Sequence, residues 1–202
     1  DRIIYKVVNY SMNTDLLKRI PHLKWNDLAV VFCCLMDEDC EGYATILVRN
    51  EHLKMWDKSD EDIYREARIN TPRLMNDELC TMDSIIRELT KSKRASAEDY
   101  PEHMSSDVCA YILSNRHRLF GATSMLYSAH IKEVADNYGS GLYILPSSIH
   151  EVILLPASKQ CDTDYMRSMI KEINATQVDL EDRLSDNLYY YDRNTGEITI
   201  AV

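Results

Sequence analysis

The sequence predicts an α+β fold, an antiparallel or mixed sheet with helices packed against it. Three observations carry that prediction. Short runs of β-branched and aromatic residues are separated by turn residues at hairpin spacing. Stretches with apolar residues at i, i+3, i+4 lie among them. The strict strand–helix alternation of a parallel sheet is missing.

Residues 2–9 (RIIYKVVN) read as a strand. Ser11 or Asn13 then caps a short helix carrying Leu16, Leu17 and Ile20, which stops before Pro21. Residues 27–36 (DLAVVFCCLM) are nearly continuous in apolar character, the signature of a central strand buried on both faces. An acidic turn over 37–42 returns the chain as a partner strand over 43–49. Asn50 caps a helical turn with Leu53 and Trp56 on one side. Ser59 opens an S-x-x-D start for a helix through about Asn70, with Thr71-Pro72 as its end.

Thr81 opens a further helix with Met82, Ile85, Ile86 and Leu89 on one face. Residues 91–107 are polar and aperiodic and contain a proline, so a mobile loop is expected there, the one internal break in a single α+β domain over 1–202. A strand follows over 108–114, then a long helix over 121–138 stopped by Gly139. Residues 142–145 and 152–155 are strands around the polar centre Pro-Ser-Ser-Ile-His-Glu. Asp162 caps a helix with Met166, Met169, Ile170 and Ile173 on its core face. Strands over 188–191 and 198–201 pair through Asp-Arg-Asn-Thr-Gly.

The totals bound the function. The 202 residues are 45% apolar and 28% charged, enough for a core without staples. A net charge of −10 repels phosphate backbones, so no nucleic-acid partner is expected. No apolar run approaches the ~20 residues of a membrane helix, so no membrane partner is expected either. Six cysteines without C-x-x-C spacing read as free thiols, which suits a cytoplasmic protein and no metal. The missing initial methionine predicts that the chain is the C-terminal part of a longer protein.

Two segments hold chemistry-capable side chains. The first is Ser147, Ser148, His150 and Glu151. H-E-x-x-H would need a histidine where Leu154 stands, and G-x-S-x-G is absent, so a hairpin turn is the favoured reading over a nucleophile and its base. The second is Arg116, His117 and Arg118, a basic cluster before a predicted helix in an acidic chain. It would suit a phosphate or a carboxylate, although solvated arginines are the plainer reading. The acidic run 37–41 lacks a calcium-loop pattern. In the triplet 189–191, Tyr190 is expected on the face opposite its neighbours.

Several stretches together resemble a known family: PHLKWNDLAVVF (21–32), ATILVRNEHLKMW (44–56), NTPRL (70–74), SNRHRLFGATSMLY (114–127), GLYILPSSIHEVILLP (141–156) and INATQVDLEDRLSDNLYYYDR (173–193). In order and over nearly the whole chain they are similar to the uncharacterised clostridial family called domain of unknown function 5688. The resemblance implies a bacterial protein, usually longer at its N-terminus, from gut Firmicutes and often encoded among genes of mobile elements. It implies no activity, cofactor or catalytic residue. Segments 115–121, 147–151 and 174–177 fall within the shared motifs.

The expectation is therefore a non-enzymatic cytoplasmic factor that binds a protein partner, as a regulatory or accessory component of a mobile element, with no cofactor. The alternative is an enzyme or sensor for a phosphorylated or anionic small molecule, using Arg116, His117, Arg118, His150 and Glu151 with Ser147 and Ser148. That alternative requires the two segments to meet on a concave pocket.

Overall fold

The structure is a computed structural model that describes residues 2–39, 42–82, 84, 110–157 and 162–201. The predicted mobile loop at 91–107 and most of the helix expected after Thr81 lie outside the described residues. The fold is α+β, and among the described residues the strand pairs of its two sheets are antiparallel.

The N-terminal sheet is built on β3 (Leu28–Asp39). Strand β1 (Ile3–Asn9) runs along one side of it. The other side is shared in sequence by β2 (His22–Trp25), paired with residues 28–31, and β4 (Gly42–Leu47), paired from Cys33 onward. As the apolar run predicted, β3 is buried on both faces: Leu28, Val30 and Phe32 face the main core, and Ala29, Val31 and Cys33 face outward clusters. Strand β2 was not expected from sequence, because His22-Leu23-Lys24-Trp25 offers only two apolar residues. The tight turn at Asn26-Asp27, with Asn26 left-handed (φ 50°), folds it back on β3.

The second sheet has the order β10–β9–β7–β8–β6–β5. Its members are β5 (Asp77–Thr81), β6 (Tyr111–Asn115), β7 (Leu142–Ser148), β8 (Glu151–Pro156), β9 (Tyr189–Tyr191) and β10 (Ile198–Ile200). Strand β5 is the other element that sequence reading missed, since its alternation spans a mere five residues. The two sheets bury one shared core, with Tyr5, Val7, Val30 and Phe32 against Leu113, Ile144, Leu154 and Tyr189. Tyr190 lies on the opposite face from Tyr189 and Tyr191, beside Tyr143, as alternation predicted.

Helix α1 (Thr14–Leu17) covers the outer face of the first sheet, with Leu17 and Ile20 on Ala29 and Val31. Helix α2 (Asn50–Trp56) buries Leu53. Helix α3 (Asp60–Leu74) starts on the capping box foreseen at Ser59 and Asp62. It does not stop at Thr71-Pro72. Proline in the last turn forfeits one hydrogen bond, and Thr71 anchors that turn by donating its hydroxyl to the Ala67 carbonyl while accepting from the Tyr5 amide.

The same device recurs at Thr123, whose hydroxyl accepts from the Val7 amide, and Asn70 donates to the Ile3 carbonyl. Side chains, rather than a further strand, therefore complete the outer edge of β1.

The helix expected over 121–138 is two elements. Gly121–Leu126 winds as a buried 3-10 turn, and α4 begins only at His130 (His130–Tyr138). Tertiary bonds override the periodicity. Ser124 Oγ donates to the Ser114 carbonyl, and Ser128 Oγ donates to Asp77 while accepting from the His130 amide. Helix α5 (Thr163–Thr176), capped by Asp162 as expected, lays Met166 and Ile170 on the outer face of the second sheet.

Candidate functional site

Asn115 ends β6 and is almost fully buried, at 1% exposed. Its side-chain oxygen accepts from the amides of His117 and Leu119, and its amide group donates to the Leu119 carbonyl. The loop is wound around that one side chain. Arg118 (φ 53°) and Phe120 (φ 54°) are both left-handed, each an uphill conformation of roughly 1 kcal/mol for a non-glycine residue.

Gly121 follows because nothing larger fits. A Cβ there would lie 2.1 Å from Ser114 Oγ and 2.3 Å from the His150 carbonyl oxygen. Those two atoms are joined by a 2.7 Å hydrogen bond from the Ser114 hydroxyl.

The stretch 146–151 is the turn favoured by its chemistry. Strands β7 and β8 close on the pair Ser148–Glu151, after a register shift that follows Leu145 and takes in Pro146, which has no amide to donate. Ser147 lies on β7 at that shift. The Ser148 hydroxyl accepts from the His150 backbone amide, so it serves the turn rather than the imidazole.

The turn nonetheless folds onto the basic loop. His150 Nδ1 lies 3.0 Å from the Arg118 carbonyl oxygen, and Nε2 lies 3.4 Å from Asp182. Nδ1 donates to the Arg118 carbonyl in one tautomer and accepts from the Phe120 amide (3.4 Å) in the other, which leaves Nε2–H for Asp182. The ring stacks on Phe120 at 6.2 Å and 12°. The Lys6 ammonium lies 3.8 Å over the Phe120 ring, a cation–π contact. The Arg118 guanidinium stands between Glu78 (3.7 Å) and Glu151 (3.8 Å).

The structure thus brings Arg118, Ser148, His150 and Glu151 together and adds Lys6, Phe120 and Asp182, which sequence reading missed. Arg116 and His117 are exposed on the loop. Both imidazole nitrogens face groups of the protein itself, and both arms of Arg118 face carboxylates. This arrangement ties two loops together.

A concavity lies next to that junction, on the outer face of the N-terminal sheet. It measures about 790 Å³. Val8, Val31, Cys33 and Leu47 form its floor, α1 contributes Leu16, and the segment 179–183 forms the opposite wall. Lys6 and Ile149 connect it to the Phe120–His150 stack. Met12 (46% exposed) and Leu180 (66% exposed) stand on its rim.

Charges of both signs border it: Lys6 and Arg183 against Asp179 and Glu181. Arg183 is itself spent on carbonyls near the end of α5, those of Val178 and Ala175. The Cys33 thiol on the floor is pushed up to about 11 by burial, so it stays protonated and unreactive near neutrality. One signal of the groove was present in the sequence: Lys6 stands between Ile4 and Val8 on the face of β1 opposite Tyr5 and Val7.

Among the described residues, no group of histidine, cysteine and carboxylate side chains is placed to hold a metal ion, and no helix is long and apolar enough to cross a membrane. A family model described as a family of unknown function, DUF5688, matches residues 1–193, and the chain belongs to that family. No match was found among curated proteins or among solved structures.

Proposed function

We propose, for a member of a family that carries no assigned activity, that this chain acts by binding a protein partner, as a regulatory or accessory factor and not as an enzyme. The groove on the outer face of the N-terminal sheet receives an apolar side chain from an extended segment of that partner. One observation carries the reading: Met12 and Leu180 hold apolar surface in water on either side of a groove whose floor is already apolar.

Such a rim is costly for a monomer and gainful on association, and methionine is enriched in interfaces because its flexible thioether adapts. Charges of both signs around the groove suit the polar flanks of a peptide better than a single anion. The internal engagement of His150 and Arg118, and the protonated Cys33, argue against chemistry at this place. A cytoplasmic setting accords with the free thiols Cys33, Cys34 and Cys80.

The test is photo-crosslinking in cells of the source organism, with a benzophenone side chain at position 180. The control places it at position 69, where Ile69 is exposed on α3 away from the groove. The expected result is a discrete adduct from position 180, absent from position 69 and lost on Met12→Glu. No adduct from 180, or one indifferent to Met12→Glu, refutes the proposal.

A further inference from the structure

A second cavity, of about 540 Å³, lies on the core side of the same sheet, at its β2 edge. Alternation along β2 turns Trp25 toward it. Tyr64 and Arg68, four residues apart, look into it from one face of α3. Tyr5 forms the floor and Tyr127 closes the far side, edge-on to Tyr5 at 6.4 Å and 72°.

The polar groups are unusual for so acidic a protein. None of the described residues lining the cavity carries a carboxylate. Lys24 contributes no cation here, because its ammonium lies 5.1 Å over the Tyr10 ring, on the outer face. Arg68 is therefore the cation, and it has no ion pair or hydrogen bond with any described residue.

The second polar group is the Tyr5 hydroxyl. Tyr5 is buried and its backbone amide bonds to Thr71, yet its hydroxyl has no hydrogen-bond partner among the described residues. Tyr127 differs, since its hydroxyl donates to the Met75 carbonyl at 2.6 Å. Burial pushes the Tyr5 phenol far above its ordinary range, with Tyr127 and Tyr64 adding to the effect and Arg68 opposing it. It remains a donor.

An unpartnered guanidinium and the unpartnered hydroxyl of an otherwise buried tyrosine share one space walled by four aromatic rings. We propose that this cavity binds a small aromatic carboxylate, its ring among Trp25, Tyr64 and Tyr127 and its carboxylate held by Arg68 and the Tyr5 hydroxyl. The planar fork of a guanidinium matches two carboxylate oxygens, and one cation suits a monoanion better than a phosphate. Aromatic walls favour a flat apolar body. This site is separate from the partner groove and stands or falls without it.

The test is calorimetric titration of the full chain with benzoate and 2-naphthoate, with benzamide, 2-naphthamide and inorganic phosphate as controls. At least one carboxylate should bind saturably, with its amide about tenfold weaker, the loss of one charge-assisted contact. Arg68→Gln should weaken it by about tenfold or more, and Tyr5→Phe by several-fold. Because Arg68 is exposed, the melting temperature of Arg68→Gln without ligand should match the parent. No saturable binding by either carboxylate, equal affinity for the amide or for phosphate, or undiminished binding to Arg68→Gln overturns the proposal.

Discussion

Replacing Asp27 by alanine should loosen the joint between the two sheets. Asp27 sits in the β2–β3 turn of the first sheet, and its carboxylate accepts from Tyr189 Oη (2.5 Å), Ser185 Oγ (2.6 Å) and Asn187 Nδ2 (2.9 Å), all near β9 of the second. Tyr189 is 0% exposed and Ser185 2%, so neither hydroxyl can turn to water when its acceptor goes. Burial first, and the bond to Asp27 next, push the Tyr189 phenol well above its usual range, which keeps it a donor.

Each stranded buried donor costs about 1–3 kcal/mol, whereas Asn187, half-buried, rehydrates. The two together lose about 2–6 kcal/mol, or roughly 10 °C in melting temperature for a chain of this length. Urea unfolding and calorimetry read it directly. Tyr189→Phe removes donor and cost together, so it should lose only about 1 kcal/mol, and the double variant should be markedly less than additive. A loss under about 1 kcal/mol for Asp27→Ala, or strict additivity, would refute the assignment of Asp27 as the joint.

Gly121→Ala should cost about 3 kcal/mol, since the added methyl displaces the Ser114–His150 hydrogen bond and the backbone it holds; an unchanged melting curve would contradict the close approach. Val31→Asp should unfold the protein, at a cost of several kcal/mol, by placing a carboxylate at a position 1% exposed, and a cooperatively melting variant would show that β3 is misplaced. Iodoacetamide at pH 8 should spare Cys33 until denaturant is added, because its thiol ionises only near 11; peptide mass spectrometry checks this, and rapid native labelling would contradict it.

What was legible in the sequence was whatever local pattern alone decides. The apolar run around Val30 and Val31 specified a strand buried on both faces, and Ser59 and Asp162 specified two helix starts. Turn residues specified the hairpin at 192–196, where Gly196 is indeed left-handed (φ 75°). Illegible was whatever depends on contacts far apart in the chain. The 3-10 turn after Gly121 is dictated by bonds to β1 and β6, and Pro72 stays helical because Thr71 is tied to Tyr5. The meeting of Arg118 with His150 and Glu151 was named as a requirement of one reading, but the groups that complete it, Lys6 and Asp182, come from opposite ends of the chain. The aromatic cavity left no trace in the sequence and the groove only Lys6 among apolar neighbours, since each is space left between elements.

The Thr71, Thr123 and Asn70 bonds along β1 have a consequence for assembly. An exposed edge strand invites intermolecular strand addition, whether by a physiological ligand peptide or by a growing aggregate. Here the outward amides of Tyr5 and Val7 and the carbonyl of Ile3 are occupied by side chains of the same molecule, so those groups are closed to an incoming backbone. A segment docking along this stretch of β1 must be read chiefly through its side chains.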